Sequence, residues 1–137
     1  MKKKISRFLS LVLLVVISTA LLAGCASKLP EGYDEDELKA SAEVVINLLN
    51  QRDSVGLNEM MTEDMKAGLT EEVQAQIFAF LDESGTMKEI SSMGVSGSEE
   101  NGITFAVVIA KVAYENRDIT YTIGFDPDMK LAGLYLQ

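Results

Sequence analysis

Histidine and tryptophan are absent from the 137 residues, cysteine occurs once and proline twice. Without histidine the chain lacks the side chain that most often serves as general base near neutral pH and most often ligates metals. A single cysteine forbids an intrachain disulfide, so the apolar core must hold the fold alone. Neither a Gly-rich phosphate loop nor a Ser-centred nucleophile elbow occurs. No catalytic, cofactor-binding or metal-binding residue is expected on these grounds. Basic residues are scarce, 12 against 21 acidic ones.

The one cysteine has a telling position, in Leu22-Ala23-Gly24-Cys25. Lys2, Lys3, Lys4 and Arg7 form a basic start, and Phe8 to Leu22 is apolar apart from Ser10, Ser18 and Thr19. That run of about 15 residues is shorter than the roughly 18 to 20 of a membrane-spanning helix. The arrangement resembles the signal peptide and lipobox of a bacterial lipoprotein. The resemblance implies lipidation of the Cys25 thiol and cleavage between Gly24 and Cys25. Residues 1–24 are then the signal peptide. The chain is expected on the extracytoplasmic face of the cell membrane, held there by lipid. Two acyl chains anchor far more firmly than one, since each buried methylene contributes about 0.8 kcal/mol.

Four of the basic residues and none of the acidic ones precede Cys25, so the 113 residues from Cys25 onward carry a net charge of −13. Such a surface excludes nucleic acid as a natural partner. It is also repelled by anionic lipid. The length suits one domain with one core.

Residues 25–33 read as a tether, broken by Ser27, Pro30 and Gly32, and residues 34–137 as a single domain. Asp34 is placed to cap a first helix running to about Asn50, with Glu37 three residues on. Leu38, Ala42, Val45, Leu48 and Leu49 make its apolar face. The acids Asp34 to Glu37 suit a helix start better than a calcium loop, which needs more oxygen ligands. Asp53 or Ser54 opens a short helix through Met61 that is expected to bury Val55, Leu57 and Met60 or Met61. Thr62 begins a turn of helix that Gly68 stops. Thr70 caps a further helix to about Asp82, with Val73, Ile77, Phe80 and Leu81 as its stripe and Gly85 as its stop.

From Met87 the period becomes twofold. Met87 to Ser96 reads as a weak strand, Gly97 to Gly102 as a turn, and Ile103 to Tyr114 as the strongest strand. Ile103, Phe105, Val107 and Ile109 share one face of it, Thr104, Ala106, Val108, Ala110 and Val112 the other. Phe105 is expected in the core. A strand from Arg117 to Phe125 follows, with Ile119, Tyr121, Ile123 and Phe125 on one face. Asp126-Pro127-Asp128 is a turn, and Met129 to Gln137 the last strand. Helices followed by a four-stranded antiparallel meander give an α+β fold with the helices on one sheet face.

The order of these segments resembles the domain-of-unknown-function family 3887. Its carriers are the helix ending at Asn50-Gln51-Arg52, Thr70-Glu71-Glu72, Gly85 and the closing stretch Phe125 to Leu134. The resemblance implies a cystatin-like or nuclear transport factor 2-like cone of helices and curved sheet, and it brings no catalytic residues with it. Some relatives in that wide fold are isomerases with an Asp base and a Tyr-Asp oxyanion hole; here Asp118, Tyr121 and Tyr135 are candidates for such roles, though their spacing fixes nothing. The expected function is a non-catalytic module binding an envelope protein or a small apolar ligand. A pocket enzyme of the isomerase or dehydratase kind is the alternative. Met60, Met61, Met65, Met87 and Met93 fit either core gaps or an adaptable groove. Asp126 and Asp128 are explained by a turn without a cation.

Overall fold

The computed structural model describes residues 28–137. The signal segment, the Gly24–Cys25 cleavage point and the Cys25 lipidation site lie outside the described residues. Four helices, α1 (Glu35–Asn50), α2 (Ser54–Met60), α3 (Glu63–Gly68) and α4 (Glu71–Ser84), precede four strands. The strands are β1 (Met87–Glu100), β2 (Ile103–Tyr114), β3 (Asp118–Phe125) and β4 (Leu131–Leu136). They form an antiparallel meander in the order β1-β2-β3-β4, so the fold is α+β.

Every one of these helices starts on a side-chain cap. Asp34, Asp53, Thr62 and Thr70 accept the backbone N–H of Glu37, Gly56, Met65 and Val73. A cap of this kind contributes about 0.5–2 kcal/mol. At the far end of α1, Arg52 adopts a left-handed φ of 57°. Its guanidinium donates to the Leu49 and Asn50 carbonyls at 2.9 Å, which satisfies groups the helix leaves open.

The core lies between the helices and one sheet face. Leu38, Ala42, Val45, Ile46 and Leu49 of α1 and Ile77 and Leu81 of α4 are buried there. From the sheet come Ala106, Val108, Ala110, Val112 and Tyr114 of β2, facing the same way as Ile119, Tyr121, Ile123 and Phe125 of β3. Register makes this inevitable: Val108 pairs with Ile123 and Ala110 with Tyr121, so the two sets share a face.

Phe105 therefore belongs to the opposite face, against expectation. It is half-buried and outside the core cluster. Small Ala106 and Ala110 occupy the inner positions beside the bulky Tyr121 and Phe125. Val55 also departs from expectation, being 70% exposed, because the short helix it sits on buries only Leu57. Ile46 replaces Leu48 as a fully buried residue of α1. Helix α4 runs on to Ser84, whose hydroxyl donates to the Phe80 carbonyl at 2.8 Å.

β1 is longer than its sequence suggests. The hairpin closes on two residues only, Asn101 (φ 52°) and Gly102 (φ 78°), as a primed turn requires. Gly97 to Glu100 thus remain paired with Ala106 to Ile103. Gly97 sits there because the chain crosses it closely: a Cβ would lie 2.4 Å from the Lys28 carbonyl oxygen. Residues 28–33, read as part of a tether, lie against the domain. Leu29 and Tyr33 pack on the core cluster. The Tyr33 hydroxyl donates to the Thr104 carbonyl at 3.1 Å, with the Phe125 carbonyl 3.4 Å away.

The β4 edge is closed off by the chain before α3. Met61 forms a parallel bridge with Leu131, and the Thr62 N–H donates to the Leu131 carbonyl at 3.0 Å. β4 itself starts at Leu131 rather than Met129, which takes a φ of 61° to finish the turn.

Candidate binding face and the buried tyrosine pair

The residues available for an isomerase-like site do not converge. Tyr121 points into the core, while Asp118 is exposed and lies 3.7 Å from the Lys111 ammonium. Alternation along β3 puts Asp118 and Tyr121 on opposite sides of the sheet. Tyr135 pairs with Thr122, again on the side away from Tyr121.

Tyr121 takes part instead in a closed polar chain. Its hydroxyl meets that of Tyr114, which donates to Asn50 Oδ1 at 3.0 Å. Asn50 Nδ2 in turn donates to the Ile46 carbonyl at 2.8 Å. Burial, reinforced by Tyr114, holds the Tyr121 phenol far above its ordinary value of 10.0. Tyr121 thus stays protonated, and the hydrogen-bonded pair suits a structural tie between sheet and α1 rather than a base.

A depression of about 450 Å³ opens beside this chain, lined by Asn50, Arg52, Asp82, Gly85, Thr86 and Met87. Its guanidinium is already engaged: Arg52 donates to two α1 carbonyls through one terminal nitrogen and to Asp82 through the other. Gln74, which sequence reasoning passed over as an ordinary polar position, is buried. Its Nε2 ties Asn58 Oδ1 and the Leu69 carbonyl together at 3.0 Å.

The acidic runs have local uses. Asp34 is a cap, and Glu35 pairs with Lys39 at 2.8 Å. Asp126 Oδ1 accepts the N–H of Asp128 at 3.0 Å and of Lys130 at 2.8 Å, fixing the turn. Among the described residues no three acidic or sulfur ligands gather around a possible metal position. Met61 and Met65 are buried, and Met60, Met87 and Met93 pack on the core as gap-fillers.

The sheet face turned away from the helices is different in character. Ile103, Phe105, Val107 and Ile109 run along β2 as an apolar stripe. Ile103 is 50% and Ile109 44% exposed, whereas Val107 between them is only 7% exposed. Gly94 lies opposite Ile109 in the register and Gly124 opposite Val107. Two depressions flank it. One, of about 430 Å³, lies over Ser92 to Ser96 and Ile109. The other, of about 420 Å³, is a cleft lined by Thr62, Glu63, Asp64, Ile103, Phe105, Asp126, Pro127 and Ala132. Side chains from α3, the β3–β4 turn and two strands meet there.

Residues 42–134 match the model of a family described as a protein of unknown function (DUF3887). The chain belongs to the DUF3887 family. The matched range opens inside α1 and closes in β4, so it contains both the tyrosine pair and the apolar stripe of this DUF3887 domain. The solution structure of a protein from Ruminococcus gnavus ATCC 29149 is similar, with a TM-score of 0.72 at 26% identity. The similarity covers 80% of this chain and 96% of that one. No curated protein matches.

Proposed function

We propose that this DUF3887 domain is a non-catalytic binding module of the cell envelope, anchored through a lipidated Cys25, that docks a protein through its outer sheet face. The observation that carries the reading is the stripe Ile103–Phe105–Val107–Ile109, two members of which are about half exposed. An apolar row of this kind on a monomer's surface is a mark of an interaction site. The dispersal of Asp118, Tyr121 and Tyr135 supports binding over an isomerase or dehydratase reading, because Asp118 lies on the opposite side of the sheet from Tyr121.

The anchor half of the reading rests on Leu22 to Cys25 and its preceding apolar run. Among the described residues no helix is long and apolar enough to cross a membrane. With residues 28–33 laid against the domain, only residues 25–27 span the gap to the lipid. Three extended residues reach about 10 Å, so the domain sits close to the bilayer.

Metabolic labelling with a fatty acid and detergent-phase partitioning test the anchor: wild type is labelled and Cys25→Ser is not. A photo-crosslinking residue at position 103 tests the docking face in intact cells. Discrete adducts from position 103, absent when the probe is moved to exposed Glu43 on α1, are expected. Equal labelling of Cys25→Ser, or no adduct from either position, overturns the corresponding half.

A further inference from the structure

Resting on that binding-module reading, we infer that the cleft between α3, the β3–β4 turn and the start of β2 takes a cationic, apolar-alternating segment of a partner protein. Its lining mixes polar side chains with the apolar Ile103, Phe105, Pro127 and Ala132, of which Ile103 and Pro127 are exposed. Its charged lining is acidic: Asp64 and Asp126 on opposite sides, and Glu63, whose carboxylate is paired with Lys66. No described basic side chain lines it, since Lys66 turns back to Glu63 at 3.0 Å. A ligand that fills this cleft must bury apolar groups while presenting positive charge at the rim. Alternating lysine or arginine with leucine-like residues does both.

The position of the cleft strengthens the choice. Tyr33 binds the carbonyls of Thr104 and Phe125, immediate neighbours of the cleft residues Ile103, Phe105 and Asp126. Residues 28–33, which cross Gly97 and end on Tyr33, thus lie at the cleft end of the sheet, and with the anchor proposed above that end is the one nearer the lipid. An acidic rim facing anionic headgroups is repelled; a basic segment lying between the two relieves that repulsion. A second copy of this chain is a poor occupant, because the charge of −13 carried from Cys25 onward opposes approach to the same acidic lining.

The test uses the intact lipoprotein in phosphatidylcholine nanodiscs and two fluorescent peptides, one alternating leucine with lysine, the other leucine with glutamate. The lysine peptide binds, and the glutamate peptide does not. Ile103→Ser weakens binding by about tenfold, as loss of an apolar anchor does. Asp64→Lys weakens it by a similar factor at low salt and by less at high salt. Glu89→Lys, the same charge change on exposed β1 away from the cleft, alters binding by less than about twofold. Equal binding of the two peptides, or equal effects of Asp64→Lys and Glu89→Lys, overturns the cationic occupant. So does self-association of the lipoprotein that Ile103→Ser abolishes. Continued cross-linking from position 103 in cells would leave the binding-module reading standing in each of those cases.

Discussion

The hydroxyl groups of Tyr114 and Tyr121, carried by neighbouring strands, meet inside the core and end on the side-chain oxygen of Asn50. This three-membered chain joins the sheet to the last turn of α1. Tyr121→Phe removes one bond and leaves Tyr114 satisfied by Asn50. The expected cost is about 0.5–1.5 kcal/mol. Asn50→Ala leaves the two hydroxyls bonded to each other but takes away the acceptor of one hydroxyl proton, and costs more, about 1–3 kcal/mol. Urea denaturation of both variants checks the order; the reverse order would mean that the chain does not end on Asn50.

The same chain predicts an alkaline limit. Tyr121 has its pKa raised by burial, so the folded state holds a proton that the unfolded state releases above pH 10.0. Stability is complete below that value and falls as pH rises beyond it. In Tyr121→Phe the fall should be shallower, as followed by circular dichroism in a pH titration.

The two phenylalanines near the β2–β3 register separate core from face. Phe125 is fully buried and Phe105 is not. Phe125→Ala is expected to cost about 3–5 kcal/mol, against a total of about 5–15 for a domain of this size. Phe105→Ala should cost less than half as much. Chemical denaturation with comparable losses would place Phe105 in the core after all.

Which of these faces turns inward is hidden in β2 itself, because both alternating sets there are apolar. β3 carries the information: its Asp118, Thr120, Thr122 and Gly124 side is polar, its Ile119 to Phe125 side apolar. Only pairing transfers that distinction to β2, and pairing is a long-range property. The helices were legible because Asp34, Thr62 and Thr70 cap them locally and Gly85 stops the last one. The length of β1 was obscured by Gly97, a residue that marks turns in isolation. Its cause lies in the crossing of residues 28–30, which a local pattern does not reveal. The cleft was equally illegible, since its lining comes from four separate segments.

Gly85 tests the helix stop. It adopts φ 86° and ψ −159°, a region nearly restricted to glycine, and a Cβ there would lie 2.8 Å from that of Glu115. Gly85→Ala should cost about 1–3 kcal/mol. A thermal midpoint within error of wild type would refute it.

Glu115 gives an acid-side prediction. Hydrogen bonding from the Thr86 side chain, together with the Thr86 N–H that its carboxylate accepts at 2.7 Å, holds its pKa below the ordinary 4.5. Its stabilisation is whole above pH 4.5 and is lost as pH falls through the lower folded value. Glu115→Gln should flatten that part of the acid limb, read by denaturation midpoints between neutral pH and the acid range. An unchanged limb would mean that the Thr86 bond does not favour the ionised form.

Leu29 and Tyr33 lodge residues 28–33 as a collar on the domain, so that the lipid anchor proposed above would leave only residues 25–27 as a leash. With Cys25 as the attachment point, residues inserted between Ala26 and Lys28 would leave the collar seated. Each would raise the domain by about 3.3 Å at most. Height above the bilayer then becomes an adjustable quantity, independent of the recognition surface. A ladder of such insertions would measure how far from the membrane the partner's segment sits.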